Sequence, residues 1–86
     1  MVMKYQKNMF VRYRIVESQP YLVHKGEAFI LDEVGVKVWE LIDGINSGEE
    51  IIDKIAESYS VTSKEIKRDI EKYLRELQKG GLIEAS

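Results

Sequence analysis

Ser47-Gly48-Glu49-Glu50, the run Ile51 to Tyr59, the link Ser60-Val61 and then Thr62-Ser63-Lys64-Glu65-Ile66 form the stretch that decides the fold of this chain. Ser47 can accept a hydrogen bond from the third helical N–H while Glu50 reaches back to the serine N–H, which is a capping box, and Thr62 with Glu65 repeats it. After the first box, Ile51, Ile52, Ile55, Ala56 and Tyr59 share one helical face. After the second, Ile66, Ile70, Tyr73, Leu74 and Leu77 make a continuous stripe, with Val61 and Ile66 in hydrophobic-staple positions. The spacing predicts helices over Ser47 to Tyr59 and Thr62 to Lys79. A two-residue link forces them to turn sharply on each other, as in a helix-turn-helix.

Upstream, a further helix is expected from Asp32 to Asp43. Asp32 is a capping residue, Val34, Val38, Leu41 and Ile42 recur at i, i+4, i+7 and i+8, and Gly44 stands where a left-handed cap belongs. Gly35 and the valines weaken this helix. Before it, Phe10 to Val16 alternates, with Val11, Tyr13 and Ile15 on one side and Arg12 and Arg14 on the other, the period of a half-buried strand. Ser18-Gln19-Pro20 reads as a turn. Tyr21 to His24 and Ala28 to Leu31 flank Lys25-Gly26-Glu27, where Gly26 supplies the positive φ of a tight hairpin. Met1 to Asn8 is polar and without period, so residues 1–9 are expected to be a flexible tail outside the core. The fold class is α+β, of winged helix-turn-helix type: a three-stranded antiparallel sheet followed by three helices, in a single domain over residues 10–86.

Composition narrows the function. With 86 residues, 44% of them hydrophobic, the chain builds one modest core and leaves its surface to do the work. A net charge of -2 with 33% charged residues gives a surface of mixed sign, without the cationic excess that competes for nucleic acid. There is no cysteine, hence no disulfide, thiolate site or cysteine nucleophile. No apolar run approaches a membrane span and there is no signal-peptide apolar region, so the expected location is cytoplasmic. His24 is the lone histidine and lacks the companions of a metal site or a triad, and Ser18 has no oriented base. Catalytic residues, metal ligands and cofactors are therefore expected to be none. Trp39 reads as core, or as an anchor for a partner.

Phe29-Ile30-Leu31-Asp32, Val38-Trp39-Glu40-Leu41-Ile42-Asp43-Gly44, Glu50-Ile51 with Ile55 and Tyr59, Asp69-Ile70 with Tyr73-Leu74 and Leu77, and the closing Gly81-Leu82-Ile83 together resemble the PqqD-like family. The resemblance covers nearly the whole chain after residue 9, and Asp32 stands where that family often has Asn, an equally good cap. It implies a non-catalytic recognition element that holds the leader segment of a ribosomally made precursor peptide. The precursor is then presented to a separate maturation enzyme such as a radical enzyme, a cyclase or a leader peptidase. The family serves redox-cofactor synthesis, lasso peptides and thioether-bridged peptides alike. Its leader typically adds a strand beside the third strand, in a groove walled by the third helix. Carried onto this chain, the candidate peptide-binding residues are Glu27, Ala28, Phe29, Ile30 and Leu31 on the strand and Ile66, Lys67, Ile70, Glu71 and Leu74 on the helix.

Physical chemistry is compatible with that mechanism, because an edge strand offers unpaired N–H and C=O groups to an extended chain. Each such bond nets about 0.5–1.5 kcal/mol, and each leader side chain buried against Phe29, Ile70 or Leu74 adds about 1.5–3 kcal/mol, so pocket filling sets specificity. Phe29 reads equally as sheet burial or as a ligand contact. Lys67, Glu71 and Gln78 read as a groove rim or as boundary residues. Lys64, Arg68, Lys72, Arg75 and Lys79 form a basic stripe, which is either a solvated face or a contact for acidic leader residues or a partner enzyme. The same stripe supports the rival function, a DNA-binding winged helix reading with helix three, against which stand its acidic neighbours Glu65, Asp69, Glu71 and Glu76. An open strand edge also admits pairing with a second copy into a homodimer.

Overall fold

The computed structural model describes residues 3–86. In chain order the elements are β1 (Tyr5–Lys7), β2 (Arg12–Val16), β3 (Gln19–His24), β4 (Glu27–Ile30), α1 (Glu33–Leu41), α2 (Gly48–Tyr59), α3 (Ser63–Lys79) and β5 (Ile83–Ala85). Strands β2, β3 and β4 form an antiparallel sheet in that order, and β1 pairs with β5 in a separate two-stranded ribbon. The architecture is the expected α+β, winged-helix arrangement.

Both capping boxes form. The Glu50 N–H donates to Ser47 Oγ at 3.1 Å and the Ser47 N–H to Glu50 Oε1 at 2.9 Å, while the Thr62 and Glu65 bonds are each 3.3 Å. Helix α3 ends in a Schellman motif: the Leu82 N–H reaches the Leu77 carbonyl at 2.9 Å and the Gly81 N–H the Gln78 carbonyl at 3.1 Å. That closure needs the left-handed φ of +75° at Gly81, and it folds Leu82 back onto buried Leu77. Leu22, Leu31, Val38, Trp39, Ile42, Ile51, Ile55, Ile70, Leu74, Leu77 and Ile83 make one core between the sheet and the helices.

Four expectations are corrected. The N-terminal segment is not a tail in its described part: β1 is held by Lys4 N–H to the Ser86 carbonyl at 2.9 Å and Gly44 N–H to the Tyr5 carbonyl at 2.7 Å. Tyr5 packs on the core and Lys7 Nζ lies 5.1 Å from the Trp39 ring centroid. The partner strand is about eighty residues away, so no local period announces it. Residues 1 and 2 of the expected tail lie outside the described residues. Second, the expected half-buried strand is β2, which is exposed throughout because the sheet extends past the helices there. Third, the turn falls on Glu17-Ser18, both at positive φ, and Gln19 and Pro20 belong to β3. Proline is tolerated in this central strand because Gln19 Nε2 donates to the Leu31 carbonyl at 2.9 Å, replacing the N–H that Pro20 lacks. Last, α1 ends at Leu41 with Ile42 as its cap, and Gly44 adopts positive φ only beyond it. There Asp43 takes over, accepting from the Ile45 and Asn46 N–H groups at 2.9 Å each.

Candidate peptide-binding groove

Strand β4 pairs with β3 alone, in the register Tyr21–Ile30, Leu22–Phe29, Val23–Ala28 and His24–Glu27. The two-residue turn Lys25-Gly26 has positive φ at both positions, so His24 and Glu27 flank it as a hydrogen-bonded pair. Alternation then pairs Phe29 with Leu22 and Leu31 with Pro20, and the Leu31 N–H does bond the Pro20 carbonyl at 3.1 Å. The N–H and C=O groups of Ala28 and Ile30 are left pointing away from the sheet. They are the open ladder groups of this edge.

Beside that edge runs a groove of about 370 Å³ between β4 and α3, lined by Phe29, Ile30, Asp32, Val34, Asp69, Lys72, Tyr73 and Glu76. A smaller hollow of about 190 Å³ continues past Phe29 toward His24, Glu27, Ala28, Gly80 and Leu82. Phe29 is half-buried between the two, whereas Ile30, on the other face of the strand, is 61% exposed. Four strand residues span about 13 Å, the length of a short extended peptide.

One end of the groove is closed by a hydrogen-bonded unit. The Tyr73 hydroxyl donates to Asp32 Oδ1 at 2.7 Å, and the same oxygen caps α1 by accepting from the Gly35 N–H at 2.8 Å. These bonds, the tyrosine's first, hold the Asp32 carboxyl below its ordinary pKa. Burial, together with the bond to Asp32, pushes Tyr73 up to about 12. Gly35 makes the unit possible, since a Cβ there would stand 2.6 Å from Tyr73 Oη. The glycine that weakens α1 by propensity thus admits the tyrosine.

The candidate residues named from sequence are divided by the structure. Glu27, Ala28, Phe29 and Ile30 lie along the open edge. Leu31, Ile70 and Leu74 are buried in the core, and Ile66 packs against it. Lys67, Glu71, Leu74 and Gln78 lie on the far flank of α3, lining a different groove of about 360 Å³ with Met3, Tyr5, Ser47, Gly48, Glu49, Ile52 and Arg75. The α3 residues that do face β4 are Asp69, Lys72, Tyr73 and Glu76, at i, i+3, i+4 and i+7. Both flanks of the apolar stripe carry such a series, so spacing alone does not say which abuts the sheet. Trp39 is a core residue.

The fold has counterparts among known proteins. No curated protein sequence matches the chain. Among solved structures, the chain is similar to TbiB1 in complex with the TbiA(beta) leader peptide, with 32% identity and a TM-score of 0.77 over 92% of this chain and 94% of that one. It is also similar to the PqqD truncation of Methylobacterium extorquens PqqCD, described as a functional, stand-alone recognition element for ribosomally synthesized and post-translationally modified peptides. There the identity is 27% and the TM-score 0.76, over 93% of this chain and 87% of that one. The family described as coenzyme PQQ synthesis protein D matches residues 16–83, most of the chain. With the open β4 edge set beside α3 in the same architecture, the chain belongs to the PqqD family.

Proposed function

We propose that this protein is a leader-peptide recognition element that captures the leader of a ribosomal precursor peptide as an added strand on β4 and presents it to a separate maturation enzyme. The observation that carries the reading is the edge itself: the outward N–H and C=O groups of Ala28 and Ile30 lie beside a groove long enough for an extended chain. A solved relative of the same architecture holds a leader peptide, which supports the same role here. Backbone pairing attaches the leader, while Phe29 and the α3 residues Asp69, Lys72, Tyr73 and Glu76 read its side chains. The chemistry falls to the partner enzyme, whether a radical enzyme, a cyclase or a leader peptidase.

The DNA-binding alternative gains no support from these relatives. Of the basic residues of α3, Lys72 lines one groove with Asp69 and Glu76, and Lys67 and Arg75 line the other with Glu49 and Glu71, so each has carboxylates for neighbours. Phosphate binding calls for uncompensated cations on one face.

Titration of a labelled leader peptide into wild type and Ile30→Pro protein tests the proposal. The Ile30 N–H faces outward, so proline removes a bond to the leader and none to β3. Affinity should fall by about two- to tenfold, as loss of about 0.5–1.5 kcal/mol requires, with the thermal midpoint little changed. Equal affinities in the two folded proteins would rule out use of this edge.

A further inference from the structure

The sheet has a second open edge, and its chemistry is opposite to the first. In the β2–β3 hairpin the register is Arg12–Val23, Tyr13–Leu22, Arg14–Tyr21, Ile15–Pro20 and Val16–Gln19, and the turn Glu17-Ser18 makes Val16 and Gln19 the hydrogen-bonded pair. The same alternation turns the N–H and C=O groups of Tyr13 and Ile15 outward. On the face shared with Leu22, the side chains of Tyr13 and Ile15 are 40% and 62% exposed. On the other face, Arg12 and Arg14 have only Val23 and Tyr21 opposite them, so no cross-strand carboxylate answers either charge. The β4 groove, by contrast, carries Asp32, Asp69 and Glu76 against Lys72.

We infer that the β2 edge is a second docking edge, which pairs with an extended segment of another protein bearing carboxylates on one face and apolar side chains on the other. Carboxylates on such a strand meet Arg12 and Arg14, its apolar side chains cover Tyr13 and Ile15, and its backbone completes the ladder. A second copy of this chain is the wrong occupant. Two-fold pairing of β2 along its full length sets the two Arg14 side chains opposite each other, a shift of the centre to Tyr13 sets Arg12 opposite Arg14, and a shift to Ile15 runs the pairing into the Glu17-Ser18 turn after three residues. Like charges so placed are destabilising. The acidic walls of the β4 groove repel the same carboxylates, so the two edges sort their ligands by charge. The domain can then hold a leader on β4 and a second, acidic partner on β2 of the same sheet.

The test uses the isotopically labelled full chain and two synthetic peptides of alternating pattern, one placing glutamate and the other lysine between valine and tyrosine. The glutamate peptide should shift the amide resonances of Tyr13 and Ile15 and bind at least tenfold more tightly than the lysine peptide, with binding weakened by salt. Arg12→Glu/Arg14→Glu, at exposed positions, should reverse the preference. Shifts at Ala28 and Ile30 instead, equal binding of the two peptides, or no shift at millimolar peptide would overturn the proposal. So would a homodimer of the chain that perturbs Tyr13 and Ile15. Leader binding at Ala28 and Ile30 is read from the same spectra, so either edge can fail without the other.

Discussion

Gly35 shows how one residue couples a helix to a binding groove. A methyl group there meets the Tyr73 hydroxyl at 2.6 Å and the ring carbon bearing it at 2.9 Å, so Gly35→Ala must displace Tyr73 from Asp32 despite its better helix propensity. Overpacking of this kind costs about 1–3 kcal/mol, and urea unfolding of Gly35→Ala should show it, with part of the loss recovered in Gly35→Ala/Tyr73→Phe. The same unit has a pH signature. Tyr73 titrates higher in the folded protein, about 12 against 10.0, so its contribution is complete below pH 10 and is lost as pH rises toward 12. Asp32 titrates lower when folded, so its contribution is present above the ordinary carboxylate range and is lost as pH falls through the folded value. Tyr73→Phe should flatten the alkaline decline in thermal midpoint and lessen the acid one; an unchanged alkaline limb would show that the hydroxyl is not held as described.

At the scale of elements, the two capping boxes are alike in sequence and unlike in setting. Ser47 is buried against β1, bridging to Lys4, while Thr62 is exposed and its bonds are longer. Cap removal costs about 0.5–2 kcal/mol, and the buried site belongs at the upper end because water cannot replace the lost partner. Ser47→Ala should therefore lower stability more than Thr62→Ala, measured as the shift in urea midpoint at constant slope. Both helices were legible because capping and the 3.6-residue period are local. Strand β2 was legible in its alternation but not in its burial, since exposure depends on where the helices stop covering the sheet.

For the whole molecule, the N- and C-terminal segments close on each other. Ladder bonds join β1 to β5, the Asn8 N–H donates to the Leu82 carbonyl at 3.0 Å, and Asn8 Nδ2 donates to the Gly81 carbonyl at 2.9 Å. Deleting residues 1–8 should uncover Trp39 and Ile83 and lower the unfolding free energy by several kcal/mol, about the cost of exposing Tyr5 together with the lost ladder. A truncated protein with the wild-type urea midpoint would mean that the ribbon is an ornament rather than part of the cooperative unit. Among the described residues no helix is long and apolar enough to cross a membrane.

From the sequence alone came the order of the β2–β4 strands and the three helices, both capping boxes, the helical turn and the family resemblance, because caps, turns and periodicity act between residues near in the chain. Only the tertiary structure decided that β1 and β5 pair, that β2 stands clear of the core, and which flank of α3 faces β4. The flank through Lys67, Glu71 and Gln78 and the flank through Asp69, Lys72, Tyr73 and Glu76 border the same apolar stripe, each at helical spacing. The choice between them is made by how the sheet and helices are set against each other, through contacts between residues distant in sequence, which no local pattern encodes.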